Sequence, residues 1–138
     1  MTVMVDTNIL LDVFIRERSE SFPESVNVMK KILADDANIC LVSASAVTDI
    51  YYILRKAYRS AEVARTYIKT LNRYACISDV REDDIRLALD SEMPDFEDSV
   101  VDCISFRLGC DYILTRNECD FAGSHVKAIT PEAMISML

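Results

Sequence analysis

Hydrophobic and polar positions along the chain follow two periodicities in turn. Short apolar runs, with the length of buried strands, alternate with longer segments in which apolar residues recur every three or four positions, as in helices. The first run, Val3–Val5, ends at the polar triplet Asp6-Thr7-Asn8, and a helical pattern follows it. Five strands are predicted in this way, at Thr2–Val5, Asn38–Val42, Cys76–Ser78, Asp111–Leu114 and Val126–Ile129.

Capping residues set the ends of the helices predicted between these strands. Ser60 and Asp95 suit N-caps, Pro23 and Pro131 suit first helical turns, and Gly109 suits the position after a helix. Helices are expected at about 7–14, 23–35, 45–58, 60–73, 81–91, 95–108 and from 131 onward, and 19–22 is expected to be a turn. Alternating strands and helices imply a parallel sheet covered on both faces. We therefore predict one α/β domain over residues 1–138, a three-layer α/β/α sandwich with about four to five parallel strands.

Composition narrows the functional classes without deciding among them. The hydrophobic fraction of 51% suits a globular protein, and two glycines are too few for a Gly-rich phosphate loop. The formal net charge of −8 opposes general binding to nucleic acid, because phosphate contacts need Lys and Arg. A metal-dependent nuclease avoids this objection, since it concentrates acid at its centre. A basic protein partner would also suit the charge.

Cysteine usage and the absence of long apolar runs favour the cytoplasm. The five cysteines are odd in number and form no CxxC motif, so buried thiols are favoured over disulfides or zinc ligands. No apolar run reaches the length of a membrane span, and no secretory signal pattern opens the chain. A cytoplasmic protein that does not contact the membrane is expected.

Acidic and amide side chains follow several of the predicted strands. Parallel strands end at one edge of a sheet, so these side chains are expected to meet there as oxygen ligands for Mg²⁺ or Mn²⁺. Separately, each has a simpler explanation, as a helix cap, a solvated surface residue or a turn former. The combination favours a metal site. The candidates are Asp6, Asp49, Asp98, Asp102, Thr115, Asn117 and Asp120.

Four segments together resemble the motifs of the PIN domain family, the fold of many small metal-dependent ribonucleases. The opening Val5-Asp6-Thr7-Asn8-Ile9-Leu10 is similar to the first motif, and the segment 45–54 is similar to the second. Asp95-Phe96-Glu97-Asp98 before an apolar helix resembles the third, and the segment 111–121 resembles the last. The resemblance spans nearly the whole chain. Its first and last motifs are fairly specific.

The resemblance implies roles for individual residues. Asp6 and Asp98 match the central metal ligands, and Asp120 and Asp49 are further candidates for metal binding and catalysis, with Thr115 and Asn117 beside them. The chain departs from the family pattern at Asp49, where most members carry Glu. It departs again at Asn117, where an acid is common. Asp102 or Asp120 is expected to compensate for that lost carboxylate.

The resemblance implies a metal-dependent endoribonuclease, and more specifically the toxin of a type II toxin–antitoxin pair. RNA would be its substrate and a small antitoxin protein its partner. A catalytically impaired PIN-like module that binds RNA or protein is the alternative. A receiver-type domain is disfavoured, because it needs adjacent acids after strand 1 and Val5 precedes Asp6.

Other polar and aromatic residues have weaker assignments. Arg116, Arg55 and Lys56 are candidates for holding the RNA backbone. His125 lies in a turn beyond the last motif and is not expected to be catalytic. The tyrosines between 51 and 74 are more simply core or subunit-interface residues than base-stacking platforms. The resemblance implies a homodimer built from the helices of this region.

Overall fold

A computed structural model describes residues 1–138 as five strands and eight α-helices with one short 3-10 helix. The strands are β1 (Thr2–Val5), β2 (Ile39–Ser43), β3 (Cys76–Ser78), β4 (Tyr112–Leu114) and β5 (Ala128–Ile129). The α-helices are α1 (Thr7–Phe14), α2 (Arg16–Ser21), α3 (Pro23–Ala34), α4 (Ala44–Tyr58), α5 (Ala61–Tyr74), α6 (Glu82–Leu89), α7 (Phe96–Arg107) and α8 (Pro131–Ile135), and the 3-10 helix is Glu118–Phe121.

All five strands form one parallel sheet in the order β3-β2-β1-β4-β5. β1 is the central strand, and its neighbours β2 and β4 come from distant parts of the chain. In the register between β1 and β4, Val5 lies opposite Leu114. The segments that leave these two strands therefore begin side by side at the carboxyl edge of the sheet. The predicted parallel sheet of four to five strands is confirmed.

The two faces of the sheet pack against different helices. Val3 and Val5 of β1 belong to a core cluster that includes residues of α1, α3, α4, α5 and α8. Met4, between them, points to the other face and packs with residues of α6 and α7. This alternation is the period of two that a strand imposes on its side chains. It confirms the predicted three-layer α/β/α arrangement.

The predicted helix caps are observed at both ends. The Ser60 hydroxyl accepts a hydrogen bond from the N–H of Val63 at 3.1 Å, and the Asp95 carboxylate accepts one from the N–H of Asp98 at 3.0 Å. Gly109 has φ of 65° after the end of α7. Such a left-handed conformation is the reason that glycine is favoured there.

The predicted turn at 19–22 is wrong, because α2 covers most of it. This helix has no buried residue, so it carries no hydrophobic periodicity that could reveal it. Side chains hold it instead: the Ser19 hydroxyl donates to the carbonyl of Asp12 at 2.6 Å, and Arg18 donates to the Asp12 carboxylate at 2.9 Å.

Asp12 is the centre of a buried charge network that connects four segments. Its side chain is fully buried in α1. The carboxylate accepts hydrogen bonds from Arg18 and from the Ser25 hydroxyl, the latter at 2.8 Å, and lies 3.0 Å from Nε of Arg116. The Arg116 guanidinium lies over the Phe22 ring, 3.7 Å from its centre. Because a buried charge is costly without partners, this network fixes Arg116 against α1.

The expectation of buried thiols holds for Cys40 and Cys103 and is wrong for Cys76 and Cys119. Cys76 is exposed because β3 is an edge strand, and Cys119 lies in the exposed 3-10 helix. All five thiols are free. None of the helices combines the length and apolar character of a membrane span.

Replacing Asp12 by Ala should lower the free energy of unfolding by about 2–3 kcal/mol. Arg18 and Arg116 would lose their shared carboxylate, but each remains about a quarter exposed, so the cost falls below that of a wholly buried broken pair. Urea denaturation measures this. Arg16→Ala is the matched control, because its ion pair with Glu20 is exposed and should contribute less than about 0.5 kcal/mol. Equal losses in both variants would contradict the importance of the network.

Candidate functional site

Asp6 and Thr115 meet where β1 and β4 end. The Thr115 side chain is buried, and its hydroxyl donates a hydrogen bond to Oδ2 of Asp6 at 2.9 Å. The N–H of Asn117 donates to the Thr115 hydroxyl oxygen at 3.1 Å, so that hydroxyl is held from both sides. Asp6 makes no side-chain capping bond to α1, although it occupies the N-cap position. The hydrogen bond from Thr115, the residue after β4, therefore fixes one oxygen of this carboxylate.

The charge environment of Asp6 combines opposing influences. Burial raises its pKa above the ordinary value, and the negative charge of Asp120 acts in the same direction. The hydrogen bond from Thr115 and the positive charge of Arg116 lower it. Arg116 is thus close enough to favour the ionised form of Asp6 while its side chain pairs with Asp12.

Asp98, in the first turn of α7, lies in the same acidic region as Asp6. We call this region the acidic cluster; its members are Asp6, Asp49, Asp95, Glu97, Asp98 and Asp120. It is half-buried, and burial raises its pKa to about 7. Nearby negative charges add to this shift, because like charges disfavour the ionised form. They belong to Asp95, Asp6, Asp120 and Glu97. Carboxylates from both ends of the chain are therefore within electrostatic reach of one another.

Asp49 joins this region from the second turn of α4 through Glu97. Partial burial raises the pKa of Glu97, and the charges of Asp49 and Asp95 add to the shift. The carboxyl groups of Asp49 and Glu97 are therefore within electrostatic reach of each other. Glu97 belongs to the acidic cluster, and it was missed among the predicted site residues. Its place beside Asp98 in a run with three acids in four residues was the available signal.

Asp120 and Asn117 lie on the exposed segment that follows β4. Asp120 is in the 3-10 helix, and its charge acts on both Asp6 and Asp98. The Asn117 side chain is exposed, and its backbone N–H makes the contact with Thr115 described above.

Asp102 does not belong to the acidic cluster, so the expectation that it compensates for Asn117 is wrong. Its buried carboxylate accepts hydrogen bonds from the backbone N–H groups of His125 and Val126, both at 3.0 Å. Nδ1 of His125 lies 2.8 Å from the same carboxylate. Asp102 lies one turn further along α7 than Asp98, and its carboxylate therefore contacts the loop before β5.

Arg116 is not available as a free group for an RNA backbone, because Asp12 and Phe22 hold it. Asp12 itself was missed by sequence reasoning. A single acid inside the apolar run Ile9-Leu10-Leu11-Asp12-Val13-Phe14 was the signal for a buried ion pair.

The side chains of this region have the donor atoms that a hard cation prefers, but they do not form a complete set of ligands around one point. All are oxygen donors, and burial together with neighbouring carboxylates raises the pKa values of Asp6 and Asp98. The chain does not bring three or more His, Cys, Asp or Glu side chains together as a finished metal cage. Mg²⁺ commonly binds through one or two carboxylates and keeps several waters. The residues present fit such a site at Asp6 and Asp98.

A family model described as PIN domain matches residues 2–118. The chain belongs to the PIN domain family, which confirms the resemblance found in its motifs. No curated protein sequence matches it.

Solved structures with similar folds include protein complexes of the VapBC type. VapBC2 from Rickettsia felis, bound to a DNA fragment from its promoter, aligns with a TM-score of 0.71 and 12% identity over 94% of this chain and 98% of the other. VapBC-1 from nontypeable Haemophilus influenzae gives 0.68 and 13% over 96% and 99%. VapC20 from Mycobacterium tuberculosis, described as a toxin that cleaves the sarcin-ricin loop, gives 0.60 and 13% over 80% and 86%. At these identities the likeness establishes the fold.

In metal-free buffer, raising the pH toward 7 should destabilise the protein through Asp98. Its pKa is 3.8 in the unfolded reference and about 7 in the fold, so the folded protein binds more protons across this window. The free energy of unfolding therefore falls as the pH rises, and Asp98→Asn should remove that part of the slope. Urea denaturation with EDTA at several pH values measures it.

Asp36→Asn is the control, because Asp36 is an exposed carboxylate in the turn after α3. It should keep the wild-type pH slope. A slope unchanged by Asp98→Asn would show that Asp98 is an ordinary solvated carboxylate.

Proposed function

We propose that this protein is a Mg²⁺- or Mn²⁺-dependent endoribonuclease that hydrolyses phosphodiester bonds of RNA. The meeting of Asp6 and Asp98, both with raised pKa values, is the observation that carries the proposal. Burying like charges together is unfavourable unless a cation joins them. Membership of the PIN domain family supports a nuclease.

The residues of the chain would divide the work between binding and positioning. Asp6 and Asp98 would hold the ion directly, with Asp49 and Asp120 reaching it through water. A bound divalent ion supplies a water of lowered pKa and positive charge for the phosphodiester. Thr115 fixes the orientation of the Asp6 carboxylate through its hydrogen bond. The exposed amide of Asn117 would contact water or a phosphate oxygen at the rim.

Action as the toxin of a type II toxin–antitoxin pair is the most specific form of this proposal. The names of the VapBC complexes from Rickettsia felis and Haemophilus influenzae and of the toxin VapC20 support it. A small antitoxin protein would then cover the acidic region and suppress RNA cleavage. We also propose a cytoplasmic homodimer.

A module that binds RNA or protein without cleaving it is the second candidate. Asp49 and Asn117, the two departures from the family pattern, favour it, because the amide at Asn117 reduces the negative charge offered to an ion. Cleavage of a panel of structured RNAs in Mg²⁺ or Mn²⁺, lost in EDTA, distinguishes the enzyme from the module.

Asp6→Asn should lower Mg²⁺-dependent RNA cleavage at least about 100-fold, since a catalytic ion contributes several kcal/mol to transition-state stabilisation. The fold should be preserved, because the amide oxygen of Asn can still accept the hydrogen bond from Thr115. Cleavage is followed on labelled RNA, and circular dichroism checks the fold.

Asp36→Asn serves as the control for loss of one carboxylate and should cleave as the wild type does. Undiminished cleavage by Asp6→Asn would remove Asp6 from the metal site. Wild-type protein that binds RNA but does not cleave it in either metal would favour the second candidate.

A further inference from the structure

Arginine side chains divide into two groups according to their ion pairs. Every arginine outside α4, α5 and their connection is paired with a carboxylate; these are Arg16, Arg18, Arg81, Arg86, Arg107 and Arg116. Within this hairpin no basic residue forms an ion pair, although it holds six of the 15 lysines and arginines of the chain. The six are Arg55, Lys56, Arg59, Arg65, Lys69 and Arg73.

The hairpin is therefore a local reversal of the charge of the protein. From residue 51 to residue 74 the only acid is Glu62, whereas the formal net charge of the whole chain is −8. All six basic residues are exposed. Unpaired cations on an acidic protein have a large electrostatic attraction for a polyanion and no internal partner to compete with it.

One row of side chains on α4 leads away from the acidic cluster. Asp49, Tyr52 and Lys56 are spaced by three and four residues, so they lie along the same helical face. The charge of Asp49 acts on Glu97 of the cluster, and Lys56 is about 11 Å further along at 1.5 Å per residue. The Tyr52 side chain is 60% exposed, and the Lys56 ammonium lies 5.5 Å from the centre of its ring.

A pair of cations lines an open cleft between α4 and α5. The cleft has a volume of about 450 Å³, with Thr48 and Tyr51 of α4 on one side and Arg65 and Lys69 of α5 on the other. Arg65 and Lys69 are four residues apart and share a face of α5.

Arg59 gives an independent indication at the turn of the hairpin. It has φ of 52°, and it is the only residue other than glycine with a positive φ. An exposed, unpaired arginine in a left-handed conformation is disfavoured, since glycine adopts this conformation without strain. The turn between α4 and α5 thus carries an exposed positive charge at the C-cap of α4.

We infer that the α4–α5 hairpin binds single-stranded RNA that extends to the acidic cluster. The side chains that would contact this RNA are Tyr52, Lys56, Arg59, Arg65 and Lys69. The inference rests on the proposed nuclease function, since that function requires the RNA strand to extend from the hairpin to the acidic cluster. The cations would contact phosphates, and the exposed ring of Tyr52 would stack on an unpaired base, an arrangement that duplex RNA cannot provide.

Fluorescence anisotropy of a labelled oligouridine tests this in the Asp6→Asn background, where the proposed cleavage is removed. Lys56→Gln with Lys69→Gln should flatten the slope of log affinity against log salt by about 1.4, because each phosphate contact on a single strand contributes about 0.7. Tyr52→Leu should weaken binding about 5- to 150-fold, which corresponds to loss of one stacked base. The matched control is Lys30→Gln with Lys31→Gln on α3, which removes two exposed, unpaired cations from another helix and should leave both affinity and slope unchanged.

Arg59→Gly separates a binding role from a structural one. It should raise the thermal midpoint, because glycine relieves the left-handed strain, and at the same time weaken RNA binding. Loss of RNA affinity together with loss of stability would overturn the assignment of Arg59.

The outcomes separate this inference from the nuclease proposal. If the wild type binds RNA with the expected slope changes in the variants but never cleaves, the hairpin surface stands and the nuclease proposal fails. If the wild type cleaves and the Lys56 and Lys69 variant binds as the control does, the hairpin surface is overturned. If the Lys56 and Lys69 variant has a changed oligomeric mass and unchanged RNA affinity, the hairpin surface is also overturned, because this face is then a subunit contact. Equal affinity for duplex and single-stranded RNA would overturn the single-strand preference.

Discussion

The repulsion between Asp6 and Asp98 is the constraint around which the functional region is built. Like charges in partly buried surroundings favour separation or protonation, yet the fold holds Asp6 close enough to Asp98 for its charge to raise the pKa of Asp98. Met4 of β1 and residues of α7 pack in one core cluster, which fixes the strand before Asp6 and the helix of Asp98 relative to each other, so neither carboxylate can withdraw. The stability of that core maintains an arrangement that the carboxylates alone would not adopt.

Hydrogen bonds and ion pairs of individual polar side chains hold this arrangement in place. Thr115 fixes the orientation of Asp6, and Asp95 caps the helix that carries Asp98. Arg116 moderates the negative charge near Asp6 without contacting bulk solvent freely, because Asp12 holds it. Asp102 performs a comparable task for the loop before β5, and its burial explains why it cannot also serve the acidic cluster.

Positive charge is distributed in a complementary way. Arginines in the body of the protein neutralise specific carboxylates, whereas those of the α4–α5 hairpin are unpaired. An acidic protein can therefore bind a polyanion, provided that enough of its unpaired cations lie on one surface. Local charge rather than net charge is the relevant property of this chain.

Much of the architecture was predictable from local patterns. Strand and helix alternation, the caps at Ser60 and Asp95 and the turn at Gly109 depend on neighbouring residues and were predicted correctly. α2 escaped prediction because it buries nothing, and the exposure of Cys76 depends on its edge strand. The PIN motifs identified the family, because their polar residues follow strand ends in a fixed order.

The sequence by itself determined the five strands and every α-helix except α2, and it placed acids after the ends of parallel strands. Only the tertiary structure decided which of these acids meet. Asp98 and Asp102 share a helical face, yet one joins Asp6 and the other binds the backbone of His125 and Val126. Helical spacing fixes the side of a helix on which a residue lies, whereas the neighbouring segment that it meets depends on how the whole chain packs.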